Sequence, residues 1–404
     1  MMDTQVVDTA AVAGILAQLA SKDGQRDPYP LYAQLRALGP ALIGPDGTLV
    51  AVGYAHCAAL LKEHRLGKAP GRFLTAAGHP DWLEHPALRM MFASMLMQNP
   101  PDHTRLRRAV SAGFTAGRIA GLGPAITKIT QQLLDELAGA TDFVDVFAFP
   151  LPVTVIGELL GIPVADRLMF QDLSRDWTAV LDTLSPVAVA RADRAASDIE
   201  TYLGDLAAHR RRHPADDLIS ALITSAEPLP TQDLLTTVAL LLAAGFETTT
   251  SLLANSVLAL LAHPAQAEVL RSDPGVAAGA VEELLRFDTP VQVLYGRTAH
   301  EDLLVGDLAL AAGTRVITLI GAANRDPAVF ANADDLDLRR RGRAPLSFGG
   351  GIHYCLGAPL ARLEAQIALP LLLRRYPHLQ LAGTPEHRDG LTLHGYTQMP
   401  ITTG

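Results

Sequence analysis

The sequence predicts a mainly α-helical fold with a small antiparallel β region. Apolar residues recur at three- and four-residue spacing along most of the chain. Alternating β-branched runs are short and confined to two places. Residues 234–262 form an apolar stretch far too long for a strand, which reads as one helix through the middle of a large core.

Helical periodicity predicts helices over 104–114, 119–138, 187–212, 234–262, 275–286 and 359–375, with Pro290, Pro327, Pro345 and Pro377 punctuating the ends. Strands are predicted at 48–52, 303–310 and Arg315–Leu319, the last two joined by an Ala311-Ala312-Gly313 turn. Glu247 divides the long stretch into charge-free pieces of 13 and 15 residues. A spanning helix wants about 18 or more apolar residues, so a core helix is expected and no membrane span. Residues 71–98 and 183–187 read as apolar loops, which serve as lids or binding walls more often than plain connections.

Composition narrows the function. With 49% hydrophobic and 19% charged residues, the 404-residue chain is a well-buried globular protein of two domains or one large fold. A net charge of −9 argues against nucleic-acid binding, which needs clustered Lys and Arg. Only Cys57 and Cys355 are present, in unlike contexts, so a disulfide framework is not expected and a reducing cytoplasm is the natural location. Asp3 and Asp8 break the first 20 residues, against a leader peptide.

The chemistry concentrates in Phe348-Gly349-Gly350-Gly351-Ile352-His353-Tyr354-Cys355-Leu356-Gly357-Ala358-Pro359. Glycines let a backbone turn tightly and approach a flat ligand. Cys355 precedes a helix start, where partial positive charge and unpaired N–H groups near Leu356 and Gly357 favour a thiolate. Pro359 suits the first turn. A zinc site would need about four ligands, and no second Cys or paired His is near. Cys57 reads as a small buried hydrophobe.

This segment resembles the haem-binding loop of the cytochrome P450 family, Phe-Gly-x-Gly-x-His-x-Cys-x-Gly-x-x-Leu-Ala, at every specified position. The resemblance extends over nearly the whole chain and implies a single domain over 1–404, β-containing towards the N-terminus, with haem between a long distal helix and the Cys loop with its proximal helix. It makes Cys355 the iron ligand. Phe348, Gly349, Gly357 and Ala244 then lie against the haem, and His353, Arg297, His103 and Arg107 meet its propionates. The implied cofactor is haem b with dioxygen as co-substrate and no bound flavin. Glu283-Leu284-Leu285-Arg286 matches the family's buried Glu-x-x-Arg, with Arg340 its expected third member and Arg339 a neighbouring alternative.

Gly245 and Glu247 break local rules inside the apolar helix, which marks either a functional site or a kink with a satisfied acid. The resemblance makes Glu247 and Thr248 an acid–alcohol pair for proton delivery and gives Gly245 a groove for dioxygen. Substrate walls follow by analogy: Leu240, Ala243, Val291, Gln292, Val293, Tyr396 and Thr397. Gln292 is either a donor to substrate or an outward-facing strand residue, and Phe246 either narrows the pocket or faces the core. The implied function is insertion of one oxygen atom into a small organic substrate in secondary metabolism. The implied partners are a ferredoxin and its NAD(P)H-dependent reductase, with the chain a monomer. Oxidative cyclisation or coupling uses the same haem chemistry; a non-catalytic haem sensor would not need Glu247 and Thr248.

Overall fold

The computed structural model describes residues 9–404; Asp3 and Asp8 lie outside them. The long helix runs over Thr231–Ala262, behind Pro230, and ends at His263 before Pro264. It is apolar on nearly every face, which a helix tolerates only in a large core or a bilayer. By length and composition it could cross a membrane, yet 78% of its most apolar 18-residue window is buried inside the fold. Helices Pro150–Leu160, Pro186–Arg212, Ala277–Phe287 and Ala358–Arg375 pack around it and share one hydrophobic core with it. Two smaller clusters lie on the β sheet near the N-terminus.

The predicted helices form, with two differences. The expected 119–138 segment breaks into Ala116–Gly121 and Gly123–Glu136. Pro124 in the second helix's first turn lacks the N–H that a continuous helix needs there. The 71–98 loop contains helices Pro70–Ala76 and Pro86–Phe92, each opened by a proline, and a short turn at Met95–Met97.

The β region is more mixed than predicted. Segment 303–310 is itself a hairpin, Leu303–Val305 on Leu308–Leu310, turning at Gly306 with φ +62°. Arg315–Leu319 pairs instead with Val293–Ala299, antiparallel, and with Leu49–Ala51, parallel. Gly296 interrupts the alternation of Val293–Ala299, which hides the strand from a period-two reading. Near the C-terminus, Glu386–His387 and Tyr396–Gln398 form a further hairpin.

The Glu-x-x-Arg pair is wholly interior. The Arg286 guanidinium donates to both Glu283 carboxylate oxygens at 2.7 and 2.8 Å and to the carbonyls of Asn324, Ala333 and Asp335. Arg340 is the third member, donating to Glu283 at 3.0 and 3.1 Å, while Arg339 turns to Asp273.

Candidate active site

The Cys355 loop is fixed by its own backbone. The Cys355 amide donates to the Phe348 carbonyl at 2.9 Å, and Gly349 and Gly351 take left-handed φ values of +69° and +63°. The glycines serve the protein before any ligand. A Cβ on Gly351 would meet the Leu61 carbonyl oxygen at 2.5 Å, and one on Gly350 would crowd the Leu61 side chain. A Cβ on Gly357 would meet nothing within 4 Å. Gly357 caps the helix Ala358–Arg375, with Pro359 in its first turn. Burial pushes the Cys355 thiol up; the amides of Gly357 and Ala358 and the charges of Arg107 and Arg362 pull it back towards thiolate. The donating amides lie one residue further on than the sequence suggested. The Arg362 guanidinium lies 4.3 Å from the Phe348 ring centre and is bound to Glu282.

Beside the loop is a group of bases. The His103 and His353 rings stand 4.4 Å apart. Burial, with Lys68, His103, Arg297 and Arg107 around it, drives His353 down to about 3, and no acid is among the groups acting on it. Both ring nitrogens of His103 are buried without a hydrogen-bond partner among the described residues. Arg297 differs from expectation: its guanidinium makes five hydrogen bonds, all to the carbonyls of Leu60, Leu61, Glu63 and Leu66. It contributes charge here and has no donor left. Lys68 was missed by the sequence reading. Among the described residues its ammonium donates only to the Tyr295 carbonyl, at 3.0 Å, and burial lowers it to about 8. Strand pairing of Lys68 with Arg297, more than 200 residues on, brings it here, and no local pattern signals that.

The long helix opens on one face at its middle. Leu240, Ala244 and Thr248 follow one another at four-residue spacing on that face; Ala244 is exposed and Thr248 half-exposed, between buried neighbours. The Thr248 hydroxyl donates to the Ala244 carbonyl at 3.0 Å, leaving its lone pairs to accept from water. Gly245 is required by packing, since a Cβ there would meet Ile156 at 2.8 Å. Phe246 faces the core, edge-on to Phe149. Glu247 is 8% exposed and points away from the open face, to Arg388 at 3.2 Å and the Thr178 hydroxyl at 3.2 Å.

Other wall residues are placed unevenly. Ala243 is buried beside Ala244. Val291 is half-buried, bridging to Leu393. Gln292 is 1% exposed and its amide donates to the Tyr29 hydroxyl and the Thr289 carbonyl. Val293 sits in the N-terminal core with Tyr32 and Leu319. Tyr396 and Thr397 line a cavity beside Glu247 on the hairpin side.

The comparisons with known proteins agree on one family. The family model for cytochrome P450 matches residues 276–395. Cytochrome P450 107B1 of Saccharopolyspora erythraea is 44% identical over 319 residues, 77% of each chain. The monooxygenase PikC of Streptomyces venezuelae is 38% identical over 398 residues, 95% of this chain and 92% of its own. P450BioI, solved with an acyl carrier protein ligated to hexadec-9Z-enoic acid, superposes with a TM-score of 0.87 at 35% identity, covering 95% of this chain and all of that one.

The chain belongs to the cytochrome P450 family. As a P450 it is a haem-thiolate monooxygenase using haem b and dioxygen on a small organic substrate, with redox partners supplying electrons.

The side chains of this P450 fit that cofactor. Cys355 would supply the sulfur ligand. Lys68 and Arg107 supply positive charge, the unpartnered His103 and the neutral His353 supply ring N–H donors, and haem carries two carboxylates. Lys68→Met is expected to speed haem loss to a haem-scavenging globin by roughly 10- to 100-fold, the loss of one charge-assisted bond worth about 1.5–3 kcal/mol. An unchanged rate would remove Lys68 from the set.

Proposed function

We propose that the chain acts as one haem domain that hydroxylates or epoxidises an apolar secondary-metabolite intermediate. The net reaction is RH + O2 + 2 e⁻ + 2 H⁺ → ROH + H2O. The observation that carries this reading is Thr248 on the open face of the long helix with Glu247 beside it. The helix and the Cys355 loop would hold haem between them, and haem would supply the oxidising chemistry there. The protein must supply two protons and keep other water away. Thr248 holds water over the open face, and Glu247 is the nearest acid on the same helix.

An apolar substrate is supported by the 71–98 segment, the expected lid or binding wall, in which Leu74, Met90, Met91, Phe92 and Met95 are buried. Methionine repacks around varied shapes. PksS of Bacillus subtilis, a relative named for polyketide biosynthesis, points the same way. A ferredoxin is the proposed electron donor. Arg108, exposed on the helix Asp102–Ser111, offers it a positive contact, whereas Arg107 acts on Cys355 and Arg362 is bound to Glu282. The two free cysteines support a cytoplasmic location, and the chain is proposed to work as a monomer.

The test uses a substrate found by the low- to high-spin absorption shift against macrolactones and long-chain acyl compounds. With that substrate, Thr248→Ala is expected to divert most reducing equivalents to peroxide while haem content and the spin shift stay normal. Full coupling in Thr248→Ala would overturn the proton-delivery assignment.

A further inference from the structure

Glu282 and Glu283 are neighbours on the helix Ala277–Phe287, so they point about 100° apart around it. Glu283 turns inward to Arg286 and Arg340. Glu282 turns to the helix Ala358–Arg375, which starts just after Cys355. There its carboxylate accepts from both Nε and Nη2 of Arg362, at 2.5 and 3.1 Å. Two bonds of this kind fix the plane of a guanidinium as well as its charge. The side chains of Arg362 and Glu282 are 25% and 30% exposed, so water screens the pair only in part.

The fixed guanidinium touches both ends of the Cys355 turn. It lies over the Phe348 ring, 4.3 Å from the ring centre, and its Nη1 donates to the Tyr354 hydroxyl at 3.1 Å. Phe348 carries the carbonyl that accepts from the Cys355 amide, and Tyr354 is the residue before Cys355. Arg362 is therefore pinned beside the sulfur. Arg107 and Arg362 both act on that sulfur, but they differ in what opposes them. The opposite charge acting on Arg107 is Cys355 itself, whereas Arg362 is neutralised by Glu282.

We propose that Glu282 is a positioning residue which, by holding and neutralising Arg362 against the Cys355 turn, lowers the reduction potential of the haem bound there. The inference rests on the reading of Cys355 as the sulfur ligand. Reduction brings one electron from an outside donor to ferric haem, and no bond in the chain is made or broken. A positive charge nearby favours the added electron, and a negative one opposes it. Arg362 alone would make the haem easier to reduce; the Glu282–Arg362 pair carries no net charge and removes most of that help. The same contacts also describe a clamp that only shapes the loop, and the two differ in the sign of the shifts that substitution produces.

The experiment is a spectroelectrochemical titration of haem-loaded enzyme with dithionite, without substrate or electron partner. It compares wild type with Glu282→Gln, Glu282→Asp, Arg362→Gln and the Glu282→Gln/Arg362→Gln double variant. Glu282→Gln is expected to favour reduced haem by roughly three- to tenfold, an upward shift of up to about 59 mV for one electron. Arg362→Gln should shift the equilibrium downward by a similar factor, because the Glu282 charge then stands unopposed. The double variant should return to within about twofold of wild type, as a coupled charge pair requires. Glu282→Asp keeps the charge and should also stay near wild type. The pair is partly exposed, so these variants should fold, and the carbon monoxide band of each reports that the thiolate is still bound. Shifts of the same sign in Glu282→Gln and Arg362→Gln would assign Arg362 to the clamp and overturn the proposal. Unchanged potentials in every variant, with the thiolate band intact, would overturn it as well. Absence of the thiolate band in the wild type would overturn the reading of Cys355 itself.

Discussion

Cys355→Ser is expected to abolish the carbon monoxide difference band of thiolate-ligated haem and, with it, monooxygenase turnover. A serine hydroxyl at this place remains neutral and cannot push electron density onto the iron as a thiolate does. The surroundings are built for an anion: the Gly357 and Ala358 amides and the charges of Arg107 and Arg362 all favour the thiolate against burial. The loop itself should survive, because its turn depends on the Cys355 amide and on Gly349 and Gly351, which the substitution leaves untouched. Haem can therefore still bind, and the spectrum reads the ligand alone. Cys57→Ser is the control. Cys57 is fully buried and its thiol contacts the Ala51 carbonyl at 3.3 Å. Retention of the thiolate band in Cys355→Ser, or its loss in Cys57→Ser, would refute the assignment.

Glu283→Ala should be the most damaging change to the fold. Glu283 is 3% exposed; among the described residues its carboxylate alone pairs with the Arg286 and Arg340 guanidiniums, and it accepts from the Asp337 amide. Removing one partner of such a buried pair costs about 3–5 kcal/mol, because the opposite charge stays buried. Whole proteins have a margin of only about 5–15 kcal/mol. The expected result is little soluble protein, or a melting transition lowered by many degrees. Arg339→Ala serves as the comparison. Its ion pair with Asp273 is exposed, so the loss should be at most about 1 kcal/mol. Equal melting temperatures for the two variants would contradict this account.

Legibility in the sequence followed the range of the interactions. The Cys355 loop could be read because its ligand, turn residues and helix start lie within a dozen positions. The long helix could be read because burial on all faces needs an unbroken apolar run. Val293–Ala299 could not be read as a central strand, since its partners Lys68 and Arg315–Leu319 are supplied by distant segments. Gln292 shows the same limit. Its chemistry suits substrate binding, yet Tyr29, from the far end of the chain, takes its amide. Arg297 carries the expected charge, but the carbonyls at the end of the helix Tyr54–Lys62 and that of Leu66 beyond it take every donor.

By itself the sequence determined the family and the helical class, and it pointed to Cys355 as the sulfur ligand and to Glu247 and Thr248 as an acid–alcohol pair, because each is written in residues close together along the chain. The tertiary structure alone decided which face each polar group takes. It set Glu247 against Arg388 rather than the open face, brought Lys68 to His353, and turned Gln292 and Val293 into the core. The physical reason is that a buried charge or amide takes the nearest partner in space, and that partner is chosen by packing between segments hundreds of residues apart.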